Sequence, residues 1–230
     1  MKTRNLFLTL FITAASMSFI SCDKSEDSLI EENGLSRDIN DFMPQEILDI
    51  LDSLEMPINT GGDPPSIEGS FEKSPNILMN SNRSTDNIGS TYADLTVTYS
   101  DQNSNKLTVT VKQKQNNTEG DGIGSFIVGN NNNFSVFSRI NSYNDTYNDS
   151  SLIAKIYTGT ISEEGIVNYH DCIVMLDDYG DPNDHYIAIG DTRVFYDSDN
   201  IAERVYATKS LPIKKGENQN MLNDEYSDNK

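Results

Sequence analysis

Short runs of β-branched and aromatic residues, separated by Asn, Asp, Gly and Ser, fill the chain from residue 67 onward. About eight such runs stand out, at 67–71, 93–99, 106–113, 124–128, 134–140, 152–161, 165–177 and 186–196, the last broken at Gly190. Leu95, Val97 and Tyr99 alternate with polar residues, as do Leu107, Val109 and Val111, and then Phe134, Val136 and Ser138. A side-chain period of two predicts strands with one buried and one wet face. The connections at 100–105, 129–133 and 162–165 are short and rich in turn residues, so successive strands should pair as hairpins. The fold class expected is therefore all-β, with a single antiparallel up-and-down barrel or sandwich of about eight strands over residues 58–206. Ahead of it the period changes. Ile47, Leu48, Leu51 and Leu54 recur at helical spacing between Pro44 and Pro57, which predicts one short amphipathic helix within residues 39–57.

The two ends read differently. Residues 1–21 combine Lys2 and Arg4 with an apolar stretch at 6–12 and small residues beyond it, the pattern of a secretory signal. That apolar stretch is shorter than the roughly 20 residues a spanning helix needs. Phe19-Ile20-Ser21-Cys22 resembles the lipobox of bacterial lipoproteins, with Phe19 in place of the usual leucine. The resemblance implies cleavage before Cys22, acylation of its thiol, and a membrane partner held through that lipid. The acidic stretch after Cys22, Asp23-Lys24-Ser25-Glu26-Asp27, resembles the signal that exports Bacteroidota lipoproteins to the cell surface. It implies an outer-membrane, surface-exposed protein, with a periplasm-facing position as the alternative. Residues 22–38 read as a flexible acidic tether and 207–230 as a disordered tail.

Composition narrows the classes. A net charge of −19 and a pI near 4.2 argue against nucleic acid, whose binders cluster Lys and Arg against phosphate. With Cys22 lipidated, Cys172 is the one other cysteine, so no intrachain disulfide can form and the domain must hold by its core. Cys172, in a run of apolar residues, is expected to be buried in a strand.

Two stretches carry a further resemblance. Residues 56–75, with Pro64-Pro65-Ser66-Ile67-Glu68-Gly69-Ser70-Phe71 at their centre, and Gly124-Ser125-Phe126-Ile127-Val128-Gly129 look like a group of uncharacterised lipoproteins of the Bacteroidota. The resemblance spans about residues 40–200 and implies an address and a fold, without an activity. The 67–71 segment also resembles the Gly-x-Trp opening of lipocalin-like barrels, with Phe71 where Trp would stand in a chain that has no Trp. That likeness concerns architecture alone.

The residues that could carry chemistry are few. His170 and His185 are the two histidines, and no Gly-x-Ser-x-Gly motif accompanies them. His170 and Cys172 should share a strand face that Asp171 does not. The chain is thus expected not to be an enzyme, and two histidines with one free cysteine match no structural zinc spacing. Asp177, Asp178, Asp181 and Asp184 surround Gly180 with hard oxygen donors, a candidate calcium loop, and Asp197 with Asp199 repeats the theme. The same residues are ordinary turn formers. Tyr143 and Tyr147, in an Asn-rich loop, are candidate ligand-binding residues for stacking on a sugar. Two functional readings follow. One is a non-enzymatic surface lipoprotein that binds a small apolar ligand, a glycan or a partner protein. The other is a structural or accessory subunit whose interior is filled by residues such as Phe126, Phe134, Phe137 and Phe195.

Overall fold

The computed structural model describes residues 29–206, so the signal segment, Cys22 and the 207–230 tail lie outside the described residues. The body is all-β, as the alternation predicts, with twelve strands where about eight were expected. Strands β1 (Gly62–Asp63), β2 (Gly69–Lys73), β3 (Asn76–Ser81) and β4 (Thr91–Tyr92) come first. The long strands β5 (Leu95–Asn103), β6 (Thr108–Gln115), β7 (Thr118–Asn130), β8 (Asn133–Asn144), β9 (Asp149–Ile161) and β10 (Gly165–Asp177) form an antiparallel meander. β11 (Thr192–Asp197) and β12 (Ile201–Val205) complete the set. The four unanticipated strands β1, β3, β4 and β12 are short, and β3 (NILMNS) lacks the β-branched alternation that marks the others.

The tight connections follow from asparagine. Gln115 pairs with Thr118 and Asn130 with Asn133, and in each two-residue turn the leading Asn, Asn116 or Asn131, takes a left-handed φ of 51° or 55°. Asparagine tolerates that conformation, and such turns match the twist of the strands they join.

β12 pairs with β2 on one side and with β10 on the other, so the ladder closes as a ring of eight strands, β2, β5 to β10 and β12. β10 forks to make this possible. Its first residues, Gly165, Ile166 and Val167, pair with β12, and after a bulge His170 to Val174 pair with β11. β11, β3 and β4 therefore peel away as a flap beside the ring. β1 alone runs parallel to its partner, β7.

Alternation sends Phe71, Val97, Tyr99, Val111, Phe134, Val136, Tyr157 and Tyr169 into one buried cluster inside the ring. The Tyr99 and Tyr169 hydroxyls bond each other at 2.9 Å, and the Tyr157 hydroxyl donates to Gln113 Oε1 at 2.8 Å, so the aromatic interior leaves these polar ends satisfied. Of the four bulky residues expected inside, Phe134 is there, Phe126 and Phe137 sit outside, beneath the N-terminal segment, and Phe195 lies on β11 with Lys73 Nζ over its ring. Position 137 has the opposite parity to 134, so the pleat itself separates them.

That outer cluster corrects two expectations. The predicted single helix is two, α1 (Arg37–Phe42) and α2 (Gln45–Ser53), divided at Pro44. α2 stops short of Pro57 because Glu55 turns left-handed at φ 58°, and Met56 N–H closes the end on Leu51 O at 2.9 Å. The tether was expected to reach residue 38, yet Leu35 and Ser36 are buried and Ser36 Oγ caps α1 by accepting from Ile39 N–H at 3.2 Å. Leu35, Ile39, Met43, Leu51 and Met56 pack on Val128, Phe137, Ala154, Ile156, Cys172 and Val174. β8 to β10 are consequently buried on both faces through their middles, where one wet face was expected. Full burial of Ile39 and Leu51 contributes about 1.5–3 kcal/mol each to holding the helices on the ring.

Candidate functional site at the β8–β9 and β10–β11 loops

Two loops meet at one edge of the ring, residues 145–148 between β8 and β9 and residues 178–191 between β10 and β11. The second loop is wound by its own aspartates. Asp177 Oδ1 accepts from Tyr179 N–H and Asp178 Oδ1 from Gly180 N–H, both at 2.8 Å. Asp181 Oδ1 accepts from His185 N–H at 3.1 Å and its Oδ2 from Tyr186 N–H at 2.9 Å. These are the side-chain-to-backbone bonds that make Asp a turn residue. Asp184 closes the loop with a left-handed φ of 51°, its N–H on Asp181 O at 3.0 Å. The four candidate calcium ligands thus do not converge. Asp177 and Asp178 serve their own turns, and Asp181 turns toward a different group.

That group is Asp149, Asp181 and His185, whose donor atoms lie within 4.8 Å of one another. His185 is sandwiched between two tyrosines, with Tyr147 stacked at 4.1 Å and Tyr186 tilted at 4.0 Å. Its Nε2 faces Asp149 Oδ1 and its Nδ1 faces Asp181 Oδ1, each at 3.6 Å. Both ring nitrogens are buried and make no hydrogen bond among the described residues. Asp149 is held from the far side, with Asn183 Nδ2 donating to Oδ2 at 2.7 Å and the Tyr186 hydroxyl to Oδ1 at 2.8 Å. Burial pushes the Asp149 carboxyl up, and these two bonds with the neighbouring His185 more than reverse it, so it sits below the usual carboxylate range. Burial and the Asp149 carboxylate together push the Tyr186 hydroxyl up.

Of the two candidate tyrosines, Tyr147 belongs to this group, whereas Tyr143 on β8 pairs with Ser150 and so faces the side of the hairpin opposite to Asp149, which pairs with Asn144. Tyr147 is 48% exposed although one face covers His185, and Tyr143 is 41% exposed with its hydroxyl donated to Asn148 Oδ1 at 2.7 Å. Tyr179, in the adjoining loop, is exposed as well. The two separate sequence candidates, the Tyr143/Tyr147 loop and the Asp177–Asp184 loop, thus share one edge, joined by Asn183 Nδ2 donating to Tyr147 O at 3.3 Å.

His170 and Cys172 occupy outward positions of β10 while Asp171 points inward, as alternation predicts. His170 is partly exposed, with Nδ1 on Asn168 O at 2.9 Å and its ring over Tyr196. Cys172 lies fully buried under the helices, where burial pushes its thiol up and away from the reactive thiolate.

Sequence reasoning missed a third cluster inside the ring. Lys73 and Lys155 both donate to Asp171, and all three are at most 5% exposed. They sit where β2 ends and β10 forks, so the triad spans the place where backbone pairing parts. Burial lowers the Lys73 ammonium to about 8, against the pull of Asp171. Burial would raise Asp171, but the two lysines hold its carboxyl below the ordinary value. Close by, both Asp197 carboxylate oxygens and Asn76 Oδ1 are buried without hydrogen-bond partners among the described residues, and burial with neighbouring Asp199 pushes Asp197 up to about 7. The signal was legible: Lys73 follows Phe71, Lys155 lies between Ile153 and Tyr157, and Asp171 lies between Tyr169 and Ile173, all at inward parity. A depression of about 290 Å³ opens elsewhere, where the β6–β7 ladder parts near Thr108, Thr110, Gly122 and Phe126. No known family, no curated protein and no solved structure matches the chain.

Proposed function

We propose that this chain is an exported envelope lipoprotein, anchored through Cys22, whose ring is a non-enzymatic binding module that takes a glycan at the loop edge. The single observation that carries the reading is Tyr147, an aromatic ring braced from behind by His185 and left 48% exposed. A rigid aromatic face held from behind is a stacking surface, which suits a sugar ring better than an apolar molecule. The side chains filling the ring speak against an apolar ligand held inside it. The signal-like 1–21 segment, the lipobox-like residues before Cys22 and the acidic stretch after it support a membrane-anchored address, surface-facing by preference.

The test is a glycan array probed with the full chain in detergent, beside Tyr147→Ala and Tyr143→Ala. Selective binding by the wild type that Tyr147→Ala loses supports the reading. A blank array with folded protein, together with a stable envelope partner recovered by cross-linking in the native host, would favour the second reading. That reading is an accessory subunit of an envelope assembly, and the observation behind it is the same filled interior.

A further inference from the structure

The buried nitrogens of His185 set a problem that the glycan reading does not touch. Its side chain is 18% exposed and that of Asp149 9%, and neither ring nitrogen has a hydrogen-bond partner among the described residues. A buried unpaired polar group is destabilising and native structures seldom keep one. An imidazolium would need both carboxylates to close in before either N–H···O bond formed, since each nitrogen stands 3.6 Å from its carboxylate. An ion bound to one ring nitrogen would use one of these pairs, and 3.6 Å is a good separation for two atoms bound to one ion. With bonds of about 2.1 Å, an imidazole nitrogen and a carboxylate oxygen 3.6 Å apart subtend about 118°, close to tetrahedral.

We propose that Asp149, Asp181 and His185 form a binding site for a divalent transition-metal ion of the zinc or manganese type. One His185 nitrogen and the two carboxylates supply the protein ligands, and small rotations of the carboxylates draw the widest pair, up to 4.8 Å, onto the ion. Each carboxylate is already aimed by a second set of groups. Asn183 and the Tyr186 hydroxyl fix Asp149, and the backbone N–H groups of His185 and Tyr186 fix Asp181. Such outer partners are what orient metal ligands in built sites. The imidazole excludes calcium as the preferred ion, since calcium takes six to eight oxygens, whereas a nitrogen with two carboxylates suits borderline ions. The ion would join three pieces of chain, the β9 start and both ends of the 181–185 turn. The proposal stands apart from the glycan reading, and a blank array leaves it untouched.

The experiment uses the untagged full chain in detergent, stripped with chelator and titrated with zinc, manganese and calcium by calorimetry, with cobalt absorption as a probe of a nitrogen-containing site. One saturating equivalent of zinc that binds more tightly than calcium is expected. His185→Ala and Asp149→Asn should each weaken binding at least about 10-fold, while Asp178→Asn, in the neighbouring turn, should leave it unchanged. Circular dichroism on each variant separates lost binding from lost folding, and the wild-type titration decides by itself if a variant does not fold. Absence of a saturable equivalent on wild type overturns the proposal, as does binding that a folded His185→Ala retains. A melting temperature that follows pH through His185 yet ignores every metal would also overturn it and make the cluster an imidazolium latch.

Discussion

Replacing Lys73 by Met tests the buried charge triad, because it removes one cation and leaves Lys155 and Asp171 as a balanced pair. Met has the length and flexibility to fill the same path beside Phe195, over whose ring the lysine nitrogen now lies at 5.3 Å. Burial depresses the Lys73 ammonium from 10.5 to about 8, which corresponds to about 3 kcal/mol against keeping it charged in the folded state. Below pH 8 both states hold the proton and the full penalty stands. Between 8 and 10.5 the unfolded chain binds more protons than the folded one, so wild-type stability rises with pH across that window. Lys73→Met has no such group. At pH 7 it should be as stable as wild type or more stable by up to about 3 kcal/mol, and this advantage should shrink toward zero by pH 10.5. Asp171→Asn should do the reverse and cost about 3–5 kcal/mol, since it strands two buried lysines without their shared acceptor. Urea unfolding of the three proteins from pH 7 to 10 measures all of this. Parallel pH profiles for wild type and Lys73→Met would refute the reasoning, as would a harmless Asp171→Asn.

Asp197 should show the opposite sign: its carboxyl titrates near 7 when folded and 3.8 when unfolded, so stability falls as pH rises between those values, and Asp197→Asn should flatten that slope in thermal melts. Leu51→Ala should cost about 2–5 kcal/mol if α2 unfolds with the ring, and amide exchange would show whether α2 opens first. Cys22→Ala should move the protein from the membrane to the soluble fraction on cell fractionation, and a variant that stays on the membrane would refute lipid anchoring.

The period of two in residues 95–99 and 107–111 was enough to name an all-β body, because each strand's pleat writes its own alternation into the chain. Pro44 and Pro57 bracketed the helical stretch, yet the left-handed turn at Glu55 depends on Met56 reaching the buried cluster, which no local pattern displays. The last expected run, 186–196, broke at Gly190 as its φ of 87° requires, and only Thr192–Asp197 found a partner strand. For the site, Asp181 and Tyr147 were legible as turn and loop residues with useful side chains. Their meeting with Asp149 and His185 was not, since Tyr186 and Asn183 reach Asp149 across 37 and 34 residues. What is local could be read from the chain alone: strand alternation, asparagine turns, the helix-compatible segment and the acidic charge. The closing of the ring through the fork in β10, the covering of β8 to β10 by the helices, and the gathering of carboxylates and imidazole at one edge emerge only in the folded chain. Those depend on which strands meet, and that choice belongs to the shared burial of the whole chain and to no single segment of it.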